Sequence, residues 1–175
     1  MPRAVPISNL QKHLELDEAS VRRLAEFVLD AEGAPAELGV SLAFVGDVTI
    51  AELNARHLGR QGATDVLAFP FRDEAARATP EAAWPQPVEG PALLGEVVVS
   101  AERAVAWCRE HGGDPIQEVA LYVVHGVLHL LGYQDLSEPA RARMRARERE
   151  LLARAAAAGV VLRGQLRHTD PQPRS

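Results

Sequence analysis

Apolar positions recur at two periods along this 175-residue chain, and the switches between them mark its elements. A short run around Val5–Ile7 predicts a first strand. Leu24, Phe27, Val28 and Ala31 then recur at helical spacing, giving a helix from an N-cap at Asp17 to about Glu32, closed by Gly33. Gly39–Val45 alternates as a strand, with Val40, Leu42 and Phe44 on one face. Asp47 or Thr49 caps a short helix carrying Ile50, Leu53 and Asn54. Thr64–Phe71 is rich in strand formers, and Pro70 predicts an edge or a strand end. From 72 to 91 the pattern breaks. Pro80, Pro85, Pro87, Gly90 and Pro91 predict a long internal loop rich in Pro and Ala. Leu94–Ser100 follows as a strand whose run Val97-Val98-Val99 predicts burial on both faces.

The next two helices are predicted end to end. One spans Ala101–His111 and stops at Gly112-Gly113. Asp114 caps the other, with Pro115 at its first position and Gln117 at the capping-box position. From Val119 to Leu131 that helix is nearly all apolar, which predicts a helix inside the core. Ser137 caps a last helix to about Ala158. The fold class is therefore an α/β (α+β) mixture: a small mixed sheet of about four strands with about five helices. Residues 1–162 form one domain, and residues 163–175 read as a disordered tail.

Composition adds exclusions. At 47% hydrophobic and 25% charged, this is an ordinary soluble globular chain, and no apolar run suits a membrane. The start, Met1-Pro2-Arg3-Ala4-Val5-Pro6, lacks the apolar core of a signal peptide. Cys108 is the sole cysteine, so no internal disulfide is available and a reducing cytoplasm fits. The net charge of −5 is divided unevenly. Residues 136–175 hold nine Arg against Glu138, Glu148, Glu150 and Asp170, a balance of +5, so residues 1–135 carry −10. An acidic protein does not bind nucleic acid tightly and nonspecifically, but a basic segment permits a local phosphate contact. Charge alone fits a solvated helix face equally well, with pairs such as Glu150 and Arg154.

The candidate chemistry lies inside the apolar helix. His125 and His129 are four apart, so their rings share one face and can point at a single ion. Gly132 suits the left-handed residue that ends a helix, and the reversed chain brings Asp135 back toward the same place. Two imidazole nitrogens and a carboxylate leave the fourth corner of a tetrahedral Zn²⁺ to water, the pattern of a catalytic site. A lone histidine in an apolar run is commonly a satisfied core residue. Here burial, the helix-ending Gly132 and the carboxylate at the third-ligand spacing together favour one Zn²⁺ per chain. Zincin proteases keep a glutamate base beside the first histidine. This chain has Gly126 there, which reads as open space beside the ion. Glu118 and Tyr122 share the face of the two histidines and are candidates to support them from behind.

His125-Gly126-Val127-Leu128-His129-Leu130-Leu131-Gly132-Tyr133 resembles the hallmark HGxLHLxGYDH of the YbeY family, bacterial metal-dependent endoribonucleases. Glu52-Leu53-Asn54 with Thr64–Pro70, then Leu94–Val99, then Met144 with Glu148 resemble further blocks of that family. The likeness runs from the first strand to about Leu152. Gln134-Asp135 stands where the family has Asp-His, and Leu58 stands where many members carry an arginine; Arg56 and Arg60 flank it as candidates for a phosphate contact. The resemblance implies a zincin-like α/β fold and one Zn²⁺ on His125, His129 and Asp135, which would act through the metal-bound water. It also implies single-stranded RNA, not DNA, as substrate. The role implied is 3′-end maturation of small-subunit rRNA and ribosome quality control, alongside the small ribosomal subunit and its proteins in the cytoplasm. Two other classes stay open: a noncatalytic ribosome-assembly factor with a structural zinc, and a metallopeptidase.

Overall fold

The computed structural model describes residues 3–71 and 91–167. Within them the chain runs β1 (Ile7–Asn9), β2 (Leu14–Leu16), α1 (Glu18–Ala31), β3 (Gly39–Val45), α2 (Asp47–Leu58), β4 (Val66–Pro70), β5 (Leu93–Ser100), α3 (Ala101–His111), α4 (Pro115–Leu130), α5 (Glu138–Ala157) and β6 (Gly164–Leu166). The expected α/β class holds, with five helices and a four-stranded mixed sheet of order β1-β3-β5-β4. β1, β3 and β5 are parallel, and β4 runs antiparallel along the edge beside β5.

β5 shows why its valines run without interruption. Val97 and Val99 enter the main core, while Val98 joins Val45, Ile50 and Leu67 in a smaller cluster involving α2. A strand covered on both faces has no polar side to present. The main core is organised around α4, which packs on β4, β5, α1, α3 and α5. Val119, Val123, Val124, Val127 and Leu128 are fully enclosed there. Each such side chain contributes about 1.5–3 kcal/mol relative to leaving it in water. Burial, rather than helix propensity, thus holds the motif helix rigid in the centre of the fold.

Three expectations shift. β1 begins at Ile7 instead of Val5. The ladder does reach back, since Leu42 donates to the Pro6 carbonyl, but Pro6 has no N–H to return. α2 takes Gly46 as its N-cap; Asp47 instead accepts from the Ser100 hydroxyl and from Arg103, at 2.9 and 3.2 Å. The chain after 162 is not wholly a tail. Gly164–Leu166 pairs antiparallel with Leu14–Leu16 in a separate two-stranded sheet, and Arg163 N–H bonds the Ser20 hydroxyl at 2.9 Å. The predicted loop at 72–91 lies outside the described residues except for Pro91, as do positions 168–175. No helix among the described residues is long and apolar enough to cross a membrane.

Candidate metal centre and groove

α4 is locked at both ends by local chemistry. The Asp114 side chain accepts from Ile116 N–H at 2.9 Å, and Pro115 occupies the first turn where no backbone donor is needed. At the other end Gly132 takes φ +104°, and Tyr133 N–H bonds back to the Leu128 carbonyl at 3.0 Å. The reversal returns Asp135 to the histidines. His129 Nε2 lies 3.0 Å from His125 Nε2 and 3.2 Å from Asp135 Oδ2; His125 Nε2 lies 3.8 Å from the same oxygen. Donor atoms bound to one tetrahedral Zn²⁺ at about 2.0–2.2 Å stand roughly 3.4 Å apart, so this triangle fits such an ion. Among the described residues, His125, His129 and Asp135 form a group able to hold a metal. Their side chains are 26%, 26% and 37% exposed, so the triangle opens to solvent.

His125 is aimed by a residue from another helix. Glu148 Oε1 on α5 accepts from His125 Nδ1 at 2.5 Å, and Glu148 is only 6% exposed. With the Nδ1 proton committed to Glu148, the Nε2 lone pair faces the triangle. Burial alone lowers the His125 pKa, but the hydrogen bond and charge of Glu148, with Asp135 and Asp65, outweigh it and raise the net value. His129 moves the other way: burial and the neighbouring His125 lower its pKa against the pull of Asp135. The turn carrying Asp135 is tied down as well. Tyr133 O–H donates to Glu32 Oε2 at 2.8 Å, and Arg147 Nε donates to Glu32 Oε1 at 2.5 Å.

The sequence candidates divide between two cavities. A groove of about 330 Å³ contains the triangle and is bordered by the edge strand β4, Arg60 and Leu58. Arg60 thus reaches the site's surroundings, whereas Arg56 is exposed and does not border the groove. Glu118 and Tyr122 line a neighbouring cavity that shares Asp65, Val66 and His125 with the groove. Tyr122 is buried, one helical turn from Glu118 on α4. The Nδ1 position they were candidates to serve is filled by Glu148. Its signal was present: Ala140, Met144, Glu148, Leu151 and Ala155 recur at spacings of four and three, so a carboxylate interrupts an otherwise apolar stripe.

Gly126 also reads differently in three dimensions. A Cβ there would lie 2.3 Å from Val97 Cγ1 and 3.2 Å from Val66 Cγ2. The direction of a side chain at 126 runs into the sheet, so the groove that Gly126 borders beside the triangle is not space left by its missing side chain. The glycine lets the buried helix approach β4 and β5 closely, and no general base could be placed there without moving them.

Comparison with known proteins identifies the family. A family model described as endoribonuclease YbeY matches residues 6–156. The chain is similar to the endoribonuclease YbeY of Pelotomaculum thermopropionicum, 40% identical over 153 residues, 86% of this chain and 95% of that one. The endoribonuclease YbeY of a Roseiflexus species is 37% identical over 138 residues, 78% and 82% of the two chains. The solution structure of TM1509 from Thermotoga maritima is 21% identical and superposes with a TM-score of 0.55, covering 98% of this chain and all of that one, a likeness of fold. The match spans β1 to α5, every element that builds the triangle and the groove, and on it this chain belongs to the endoribonuclease YbeY family.

Proposed function

We propose that this protein is a zinc-dependent endoribonuclease for single-stranded RNA, working in the cytoplasm on the 3′ end of small-subunit rRNA and in ribosome quality control. The observation that carries the catalytic part is the convergence of His125 Nε2, His129 Nε2 and Asp135 Oδ2 within a solvent-open groove bordered by Arg60. The ribosomal part rests on family membership and on the motif resemblance.

Each residue has a separate task in this reading. His125, His129 and Asp135 would hold one Zn²⁺, which when bound supplies Lewis-acid polarisation of a phosphoryl oxygen and nucleophile activation near neutral pH. Glu148 keeps the His125 ring aimed and in one tautomer. Arg60 gives the groove a fixed cation, suited to a phosphate of the bound strand. Asp135 removes one positive charge from the centre relative to a third histidine, which makes the cationic Arg60 more important for holding an anionic substrate. The packing of Gly126 against Val97 argues against a peptidase, because peptide cleavage needs a proton carrier beside the first histidine and the fold closes that position.

The test uses metal-loaded protein on single-stranded RNA, single-stranded DNA and an unfolded protein. RNA cleavage that chelator and His125→Ala both abolish is the expected result. Proteolysis with intact RNA would overturn the proposal in favour of a peptidase, and silence on all three would favour an assembly factor with a structural metal.

A further inference from the structure

The second cavity shares His125 and the buried Glu148 with the metal centre, but its remaining lining has a composition that the metal centre does not explain. It measures about 200 Å³, smaller than the roughly 300–1,000 Å³ of pockets that take drug-sized ligands. Glu118, Leu121, Tyr122 and His125 reach it from one face of α4, at i, i+3, i+4 and i+7. Trp107 closes it from α3 and Asp65 from the start of β4. One face of the Trp107 indole is stacked on His111, with centroids 3.7 Å apart and 15° between planes, yet the residue is 46% exposed. The ring is held at a fixed attitude with apolar surface left over. A large aromatic kept half-open at the mouth of a small cavity is a platform awaiting a flat partner.

The polar groups narrow the partner further. Tyr122 is buried and stands one helical turn from Glu118 on the same face of the helix. Asp65 Oδ1 accepts from Val66 N–H at 2.9 Å, which fixes that carboxylate at the border shared by the two cavities. Glu118 is partly desolvated, and burial raises its pKa against the lowering effect of the Tyr122 hydrogen bond. The cavity thus presents carboxylate acceptors beside an aromatic surface. Single-stranded RNA is read in this manner, by stacking an unpaired base on an aromatic side chain and bonding its edge. Cytosine, adenine and guanine each carry an exocyclic amino group to donate; uracil has one N–H between two carbonyls.

We propose that the cavity formed by Asp65, Trp107, Glu118, Leu121 and Tyr122 is a nucleobase subsite that seats an amino-bearing base next to the phosphate lying in the groove. This inference rests on the RNA reading of the groove. His125 borders both cavities, so a strand crossing the groove passes beside the mouth of the subsite.

The experiment uses metal-loaded full-length protein and oligouridylates carrying a single C, A or G at successive positions. At one position an amino-bearing base should raise kcat/KM about tenfold over uracil. Glu118→Gln, whose amide offers a donor as well as an acceptor, should flatten that preference. Trp107→Ala should raise KM about tenfold with kcat little changed. Cleavage that shows no base preference, and that neither variant alters, overturns the subsite while leaving the nuclease reading intact. If the protein cleaves no RNA, the nuclease reading fails, and binding decides the subsite separately: the Trp107 indole N–H resonance is followed while CMP and UMP are titrated. A shift with CMP well beyond that with UMP supports the subsite, and no shift or an equal one overturns it.

Discussion

Helices α4 and α5 pack against each other, yet they carry opposite kinds of information. α4 is apolar nearly all round, and its two polar rings stand out as a site by contrast. α5 is crowded with arginine and glutamate, and only a narrow stripe of Ala140, Met144, Glu148, Leu151 and Ala155 enters the core. Glu148, which aims His125, hides among charges that face water. The comparison teaches that the donors of such a site are written within one short stretch, whereas the groups that orient them come from other helices, Glu148 from the next one and Glu32 from the C-cap of α1.

The sharpest way to break this account is at the donors. His129→Ala should drop the metal from one per chain to near zero and abolish RNA cleavage, as read by elemental analysis and a cleavage assay; full metal retention would remove α4 from the centre. Glu148→Gln should keep the fold and weaken metal affinity by about 10–100-fold. Arg149→Ala, one residue on and exposed, should leave affinity unchanged. Equal effects of the two substitutions would mean that α5 acts by its overall charge and not through one carboxylate.

The same variant has a pH signature in metal-free protein. The folded pKa of His125 is raised above its ordinary value of 6.5. The ion pair with Glu148 therefore stabilises the fold fully below about pH 6.5, and this contribution fades as the pH rises through the folded value. Glu148→Gln should destabilise more just below pH 6.5 than at alkaline pH, where the difference from wild type should shrink in denaturant titrations. A difference that grows with pH would contradict the assigned partner.

Gly126→Ala tests the packing of α4 on the sheet. Its Cβ meets Val97 Cγ1 at 2.3 Å, so stability should fall by about 1–3 kcal/mol, and Val97→Ala in the same chain should restore part of it. A neutral Gly126→Ala would return the glycine to the role of leaving space by the ion. The smallest effect belongs to the turn. Tyr133→Phe removes the 2.8 Å bond to Glu32 and should lower stability by about 0.5–1.5 kcal/mol, with a modest loss of metal affinity through Asp135.

These contrasts also explain what was legible in the sequence. The end of α3 and the start of α4 were readable to the residue, because Asp114, Pro115 and the Gly112-Gly113 pair are local signals. β2 and β6 were not, since each has three residues and their pairing joins positions about 150 apart. Gly126 was misread because its constraint comes from Val97 and Val66, on strands that only the fold brings beside it. Asp65 gave no hint of sharing a groove with His129, for the same reason, and Arg60 was pointed to only by the family resemblance. The triangle itself was readable, because a helical turn and one glycine place all of its members within eleven residues.

The central claim is that His125, His129 and Asp135 hold one metal ion. Anomalous diffraction at the zinc edge from crystals of zinc-loaded protein tests it most directly. One peak within about 2.0–2.2 Å of His125 Nε2, His129 Nε2 and an Asp135 oxygen is the predicted result. A peak lying elsewhere, or one that leaves Asp135 unbound, would contradict it.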